Sequence, residues 1–390
     1  MCIRRSWSVR EGYMSPTIFR KVVDELERYP ELGEINISGF GEPLLHGNFL
    51  DFLYYIRRKL KDCKITIITN ATLIKNLMER MYSYIDKLCV SIDSFNPKRL
   101  ESIRRGLNYR DTMETLEMIS KFKRLGDFQF LLATVVTRDN IGEMVEYLRR
   151  ACQFNVDEVF VTNIIAYSRE NYERRVYTTI PEELFPILKD IGLVEDFIKR
   201  GEYDRLFSLI ECYAKSCSLP ISRLNIIGLL EELNYVKWMR YALEIFDLVC
   251  EIAREEGVTV RVPLFHSRLD FRRCPYIEDE VFVIRWDGRV YPCLLLMYSH
   301  LEYVNAHSKY YYEYSLGSLV DSRLDKILNG SKYLRLKNTL TNIVKQVPTC
   351  NNCPFAYTGC IFVKDNILDC LGNTPSCSEC LYSYGIVQCP

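Results

Sequence analysis

The amino-acid sequence predicts an α/β protein in which a parallel sheet wound by helices precedes a helical segment and a cysteine-rich tail. Strand-like and helix-like stretches alternate through roughly residues 1–170, and 9 of the 16 cysteines lie at or after Cys274. Repeated strand–helix–strand units wind a parallel sheet through right-handed crossovers. Such a sheet closes into a whole or partial barrel or opens into a doubly wound fold. In both cases the functional residues lie at the carboxyl ends of the strands.

Five short runs rich in β-branched and aromatic residues predict the strands. They are Glu34–Ser38, Lys64–Asn70, Lys87–Asp93, Phe128–Val136 and Glu158–Ile165. Apolar residues at helical spacing predict helices between these strands. The helices are Ile18–Arg28, Phe49–Leu60, Ile74–Tyr84, Met113–Leu125 and Ile141–Cys152.

The region after the fifth strand is predicted to be mostly helical from Ile180 to Gly257, with a long amphipathic helix over Tyr235–Glu256. Val258–Leu264 has the pattern of one more strand. The tail from Cys274 onward consists of short strands, turns and cysteines. We expect it to be too rich in loops to be held together by apolar burial alone.

Charge and hydropathy exclude several classes of protein. The chain has 51 basic and 51 acidic residues, whereas a dedicated nucleic-acid binder usually has a basic excess. No apolar run reaches the roughly 20 residues that a membrane helix needs. The first residues lack the apolar core of a signal peptide. We therefore expect a cytoplasmic protein that binds neither nucleic acid nor membrane.

The cysteines point to metal binding, because a chain without an export signal is not expected to form many disulfides. The tail contains two Cys-x-x-Cys pairs, Cys350–Cys353 and Cys377–Cys380, and each pair places two thiolates on one tight turn. The nine thiols from Cys274 onward are enough for two four-cysteine sites, with one thiol left over. The irregular spacing favours iron–sulfur clusters, with a structural zinc module as the main alternative and a disulfide scaffold as a weaker one.

A glycine-rich stretch, Gly39-Phe40-Gly41-Glu42-Pro43, ends the first predicted strand. Glycines allow a ligand to approach the backbone closely. The Glu42 carboxylate at the mouth of the sheet can accept hydrogen bonds from a ligand ammonium. The stretch is neither a Walker nor a Rossmann loop. The alternative interpretation is a plain tight turn after a strand.

This stretch and the tail together resemble the radical S-adenosylmethionine (radical SAM) enzymes. In that family a glycine–glutamate–proline motif binds the amino group of the cofactor, and the resemblance assigns this role to Gly39, Gly41, Glu42 and Pro43. The tail resembles the SPASM extension, which holds auxiliary [4Fe–4S] clusters. The spacing Cys274-x13-Gly288-x4-Cys293 fits that extension, whereas the gaps before Cys360 and Cys370 are longer than usual.

The last 22 residues, Asp369–Pro390, resemble the end of an archaeal subgroup. Its members are maturases of tungsten-containing aldehyde ferredoxin oxidoreductases. The resemblance also implies cofactor contacts from Asn70, Ser91, Asp93 and Arg105. The alternatives for these four residues are helix capping and a solvated helix face.

The metal ligands that the resemblance implies are cysteines at both ends of the chain. They are Cys2, Cys274, Cys293, Cys350, Cys353, Cys360, Cys370, Cys377, Cys380 and Cys389. The family's defining motif is Cys-x3-Cys-x2-Cys, and Cys2 occupies the place of its third cysteine. We therefore expect a chain truncated at its N-terminus within this motif and inactive as written. The alternative is a protein that has lost this cluster.

The resemblance implies three parts of the chain. Residues 1–175 would form a partial (β/α)6 barrel of the TIM type that lacks its first strand, residues 176–265 a mostly helical linking segment, and residues 266–390 the SPASM domain. The full-length protein would hold one radical SAM cluster, about two auxiliary [4Fe–4S] clusters and S-adenosylmethionine. No catalytic side chain is assigned.

The implied activity is reductive cleavage of S-adenosylmethionine to a 5′-deoxyadenosyl radical, which takes a hydrogen atom from the substrate. The electron donor would be a protein such as ferredoxin. The function of the enzyme would be to modify the tungsten cofactor or the protein of an aldehyde ferredoxin oxidoreductase. Two alternatives remain open: modification of a ribosomal peptide, and a non-catalytic iron–sulfur protein for electron transfer or assembly.

Overall fold

A six-stranded parallel sheet forms the first part of the molecule. The computed structural model describes residues 3–5, 7, 11–182, 184–185, 191–216, 225–268, 271–356 and 359–389. The strands lie side by side in chain order. They are β1 Glu34–Ile37, β2 Lys64–Thr69, β3 Lys87–Ser91, β4 Gln129–Val136, β5 Glu158–Asn163 and β6 Thr259–Arg261. Within the described residues β1 and β6 each pair on one side only, so the sheet is an open, partial barrel wall.

Helices follow the strands as the predicted crossovers require. They are α1 Pro16–Leu26, α2 Phe49–Lys59, α3 Met78–Met81, α4 Pro97–Ile103, α5 Tyr109–Lys123, α6 Met144–Cys152 and α7 Arg169–Glu173. The predicted helix over Ile74–Tyr84 is divided into α3 and a 3-10 turn on either side of it. Helix α4 was not among the predicted helices, although Asn96 caps it and Pro97 occupies its first turn, which is a common start signal.

The central strands β2 to β5 are buried on both faces, as expected for a parallel sheet, whereas no residue of the edge strands β1 and β6 is fully buried. Residues of β4 alternate between two environments: Phe130 and Leu132 belong to the large core, and Leu131 and Ala133 pack with Phe160 in a smaller cluster. This period of two is that of any pleated strand.

A helical layer separates β5 from β6. It contains α8 Ile191–Arg200, α9 Tyr203–Ser216 and α10 Ile226–Glu256, and α10 ends at Gly257 in the left-handed conformation. The next residues form β6, which pairs with β5 in parallel. The strand predicted after the helical layer therefore extends the sheet.

The tail consists of short elements. Its strands are β7 Val283–Ile284, β8 Arg289–Tyr291, β9 His300–Val304, β10 His307–Tyr311 and β11 Gly317–Ser318. Its helices are α11 Pro275–Glu278, α12 Leu324–Leu328, α13 Ser331–Thr341 and α14 Ile343–Gln346. After α14 the described chain forms only turns and 3-10 segments. No helix in the described ranges is long and apolar enough to cross a membrane.

The end of the tail is attached to the last strands of the barrel wall by side-chain hydrogen bonds. Asn163 Nδ2 donates to the carbonyl oxygen of Ile386 at 2.9 Å. Gln388 Nε2 donates to the carbonyl oxygen of Val161 at 2.7 Å, and the backbone N–H of Gln388 donates to Thr162 Oγ1 at 3.2 Å. These bonds bring the last cysteines of the chain next to the carboxyl end of β5.

Candidate cofactor cavity and cysteine groups

A cavity of about 2110 Å³ runs along the inner face of the sheet, from Lys64 and Lys87 at the starts of β2 and β3 to the carboxyl ends of the strands, and the tail lines its other side. The Gly39–Pro43 loop and Ser91 line it from the barrel side, and Tyr276, Tyr298 and Cys389 line it from the tail side. Typical small-molecule sites have volumes of roughly 300–1,000 Å³. The cavity therefore has room for a cofactor and a second molecule together.

The glycine loop exposes its backbone to this cavity. Gly39 has a φ of +121°, a conformation that side chains other than glycine rarely adopt. Apart from the adjacent residues in the chain, no heavy atom of the described residues lies within 4 Å of the position that a Cβ would take on Gly39 or Gly41. The ring of Phe40 packs against Trp7 at 5.6 Å and Tyr298 at 6.1 Å, so the loop also contacts the tail.

Glu42 is held in place by neighbours from two strand ends. Its Oε1 accepts hydrogen bonds from Thr69 Oγ1 at 2.7 Å and from the backbone N–H of Leu44 at 3.1 Å. Its Oε2 accepts one from the backbone N–H of Asn70 at 2.8 Å. A carboxylate has about four acceptor positions, so these three bonds orient the group and leave capacity for one more donor.

The other residues predicted to contact the cofactor have separate surroundings. Ser91 lines the cavity, whereas Asn70, Asp93 and Arg105 do not. The Asn70 side chain accepts a hydrogen bond from the backbone N–H of Thr72 at 3.0 Å, which closes an Asx turn after β2. Arg105 is exposed.

Asp93 is buried, and its carboxylate is hydrogen-bonded to other residues of the protein. Its Oδ1 accepts from the backbone N–H of Val135 at 2.9 Å, and its Oδ2 accepts from Arg104 Nε at 2.7 Å. Arg104, unlike its neighbour Arg105, lines the cavity. The side chain at the cavity is therefore Arg104, held there by Asp93.

Four cysteines from distant parts of the tail form what we call the inner cysteine group. Cys274, Cys293, Cys377 and Cys380 line one small cavity, whose other walls are largely apolar. Burial, with Cys380, Cys274 and Cys377 nearby, raises the pKa of Cys293 well above its ordinary value. Burial likewise raises the pKa of Cys274 to about 12. These four cysteines supply four sulfur donors to one small cavity, and a bound metal centre would deprotonate them.

The remaining four cysteines before Cys389 form the outer cysteine group: Cys350, Cys353, Cys360 and Cys370. Cys350 packs with Cys353 and Cys360 in one apolar cluster. Burial raises the pKa of Cys370, and Asp369, Cys353 and Cys360 raise it further, so the fourth thiol is close to the same cluster. Cys370 is exposed, which places one edge of this group at the surface.

In the described part of the chain, no three His, Cys, Asp or Glu side chains are arranged to hold a single metal ion. This result covers both cysteine groups, so the arrangement of their thiols does not distinguish zinc from an iron–sulfur cluster.

Cys389 is separate from both groups. Its Sγ lies 3.3 Å from the hydroxyl of Tyr276 and also hydrogen-bonds with Tyr382, and it lines the large cavity. The inner and outer groups contain eight of the nine tail cysteines, and Cys389 is the ninth. Cys2, the first predicted metal ligand, lies outside the described residues.

Family models match two segments of the chain. Residues 1–151 match the radical SAM superfamily, and residues 274–354 match SPASM, an iron–sulfur cluster-binding domain. The tungsten-containing aldehyde ferredoxin oxidoreductase cofactor-modifying protein of Pyrococcus furiosus is 27% identical over 399 aligned residues. That alignment covers 100% of this chain and 92% of the relative.

Two further similarities concern parts of the chain or its fold. The S-adenosylmethionine-dependent nucleotide dehydratase of Selenomonas ruminantium is 33% identical over 133 residues, which cover 32% of this chain and 47% of that protein. The crystal structure of Streptococcus suis SuiB bound to S-adenosylmethionine superposes with a TM-score of 0.51 at 14% identity, covering 91% of this chain and 68% of SuiB. This second similarity concerns the fold.

Proposed function

We propose that this chain, a member of the radical SAM superfamily with a SPASM domain, modifies the tungsten cofactor of an aldehyde ferredoxin oxidoreductase or the oxidoreductase itself. The radical SAM domain binds S-adenosylmethionine and a [4Fe–4S] cluster, and the SPASM domain binds auxiliary iron–sulfur clusters. The observation that carries the choice of substrate is the similarity to the Pyrococcus furiosus protein along the entire chain.

At the barrel mouth, the Gly39–Pro43 loop would bind S-adenosylmethionine. Its open backbone lets the cofactor approach, and the remaining acceptor position of Glu42 would take a hydrogen bond from the cofactor ammonium. Thr69 and the backbone of Asn70 would keep the carboxylate oriented. Ser91 and Arg104 line the same cavity and are the polar side chains available to the cofactor's ribose and carboxylate.

In the tail, we assign one auxiliary cluster to each cysteine group. The inner group encloses its site, and the outer group has one edge at the surface. The bound groups would supply one-electron chemistry. The protein's own contribution would be to position the thiols, exclude water from the inner site and leave the outer site within reach of an electron donor such as ferredoxin.

Reconstitution tests this proposal directly. Protein expressed anaerobically from its natural gene would be incubated with a strong reductant, S-adenosylmethionine and an aldehyde oxidoreductase produced without this partner. We expect 5′-deoxyadenosine to form and the oxidoreductase to gain activity, and Glu42→Gln to reduce both. Activation without S-adenosylmethionine would contradict the proposal. Deoxyadenosine formation that responds only to a ribosomal precursor peptide would favour the peptide alternative.

A further inference from the structure

A fully buried asparagine joins the carboxyl ends of β3 and β4, and the proposed function has not used it. Asn140 follows β4 and is not part of the cavity wall. Its Nδ2 donates to the carbonyl oxygens of Asp93 at 2.8 Å and Val135 at 3.0 Å. Its Oδ1 accepts from the backbone N–H of Thr137 at 2.8 Å. The amide has one orientation, because a flipped amide would place its oxygen against two carbonyl oxygens.

These bonds fix the position of the Asp93 carboxylate. Asp93 follows β3 and is 1% exposed. Its Oδ1 also accepts from the backbone N–H of Val135 at 2.9 Å, so Asp93 is bonded to the end of β4 directly and through Asn140. A buried carboxylate that is held from two sides is a rigid support for a third group.

The third group is Arg104. Asp93 Oδ2 accepts from Arg104 Nε at 2.7 Å, and the arginine side chain lines the cavity. Within the described residues, the terminal nitrogens of Arg104 make no hydrogen bond. A guanidinium binds a carboxylate through two parallel N–H bonds, and its planar shape makes the geometry of that pair strict. The direction of the Arg104 side chain therefore decides whether it can bind a carboxylate in the cavity.

We propose that Asn140 is a positioning residue for the binding of S-adenosylmethionine. Acting through Asp93, it holds Arg104 where the guanidinium pairs with the carboxylate of the cofactor, while Glu42 takes the ammonium. Asn140 itself touches neither the cofactor nor the cavity. This role rests on the proposed function, because it requires that the cavity bind S-adenosylmethionine.

A double-mutant cycle tests the coupling between Asn140 and Arg104. Isothermal titration measures the affinity of the reconstituted protein for S-adenosylmethionine in wild type, Asn140→Ser, Arg104→Gln and the double variant. Serine keeps an oxygen that can accept from Thr137 but lacks the amide that donates to Asp93. We expect Arg104→Gln to weaken binding about 10- to 150-fold and Asn140→Ser about 2- to 12-fold, the ranges for a lost charged and a lost neutral hydrogen bond.

The double variant should bind S-adenosylmethionine as Arg104→Gln does, because Asn140 acts only through Arg104. Losses that multiply in the double variant would overturn the inference. Asp93→Asn is a second variant of nearly the same shape, for use if Asn140→Ser folds poorly. It should weaken binding and add nothing to Arg104→Gln. Wild-type affinity in Asp93→Asn would also overturn the inference, since the connection from Asn140 to Arg104 passes through that carboxylate.

A cofactor analogue separates positioning from general damage to the site. Decarboxylated S-adenosylmethionine keeps the ammonium and lacks the carboxylate, so Asn140→Ser should leave its affinity unchanged, whereas Glu42→Gln should weaken it. Equal losses for both ligands in Asn140→Ser would contradict the proposed role. A wild type that binds no S-adenosylmethionine would overturn the cofactor site as well.

The matched control is Tyr147→Phe. Tyr147 of α6 is buried, and its hydroxyl donates to the carbonyl oxygen of Ile92, the residue before Asp93, at 2.9 Å. The variant loses one buried hydrogen bond to the same strand end without touching Asp93 or Arg104. Its affinity for S-adenosylmethionine should equal that of the wild type. A loss as large as that of Asn140→Ser would show that any damage at this strand end weakens binding, and the specific role of Asn140 would be wrong.

Discussion

The barrel wall and the tail are built on different physical principles. The barrel wall has six adjacent parallel strands around one continuous apolar core. The tail has strands of two to five residues. Some of its buried side chains, such as Val290, Leu324 and Ile386, belong to the same large core, and its other apolar clusters contain only three to six buried residues each. Apolar burial therefore accounts for the first region and for part of the second. The rest of the tail needs another source of stability, and the two cysteine groups supply one if they bind clusters.

Removal of the metal is the strongest test of this difference in stability between the barrel wall and the tail. Chelation of iron under anaerobic conditions should expose the tail to protease and leave a resistant fragment that ends near β6. The reason is that metal binding to thiolates contributes directly to folding free energy. The measurement is limited proteolysis followed by mass spectrometry. A tail that resists protease equally with and without iron would show that its fold does not depend on clusters.

The reverse experiment weakens the barrel alone. Leu88 of β3 is fully buried in the large core, and Leu88→Ala should lower the free energy of unfolding by about 2–5 kcal/mol. The expected result is an earlier thermal transition with unchanged iron per folded chain. Val344→Ala, at an exposed position of α14, is the control and should leave the transition in place. Loss of iron in Leu88→Ala would mean that the two regions are not energetically separate.

Cofactor binding should depend on the barrel side of the cavity. Glu42→Gln should weaken binding of S-adenosylmethionine by about 1.5–3 kcal/mol, the range for a hydrogen bond to a charged group. Isothermal titration of the reconstituted protein measures this change. Glu31→Gln is a useful control because Glu31 is exposed and also lies near the cavity wall. Equal losses of affinity for S-adenosylmethionine in Glu42→Gln and Glu31→Gln would show that Glu42 has no specific role in binding.

A smaller effect should distinguish the two cysteine groups. Because Cys370 is exposed and the inner group encloses its cavity, the outer cluster should be lost first during mild oxidation or slow chelation. Electron paramagnetic resonance of samples taken over time would separate the two signals. Simultaneous loss of both clusters would contradict the difference in exposure.

Strand ends can be read from β-branched runs, and parallel strands place their ends at one edge, so Glu42 and Asn70 were expected close together. The structure brings them together, because the backbone N–H of Asn70 donates to Glu42. Which of Arg104 and Arg105 lines the cavity was harder to predict, because one residue past the end of α4 changes the direction of the side chain. The buried neighbour that selects Arg104 is Asp93, and only the fold brings the two together.

The sequence predicted that the nine tail cysteines are enough for two four-cysteine sites with one cysteine left over. It could not predict which cysteines belong to which site. Cys274 and Cys293 meet Cys377 and Cys380 across about one hundred residues, and no local pattern encodes that pairing. The burial of Lys309 could not be predicted for a similar reason. This lysine lies in the strand His307–Tyr311 among polar and aromatic residues, where a lysine is ordinarily exposed.

The central claim is that eight of the nine tail cysteines form two sites and that Cys389 belongs to neither. Iron per chain, measured for anaerobically purified wild type and for Cys293→Ala, Cys360→Ala and Cys389→Ala, tests it most directly. The account predicts a loss of about four irons in each of the first two variants and no loss in the third. Loss of about four irons in Cys389→Ala, or full retention in Cys293→Ala, would contradict it.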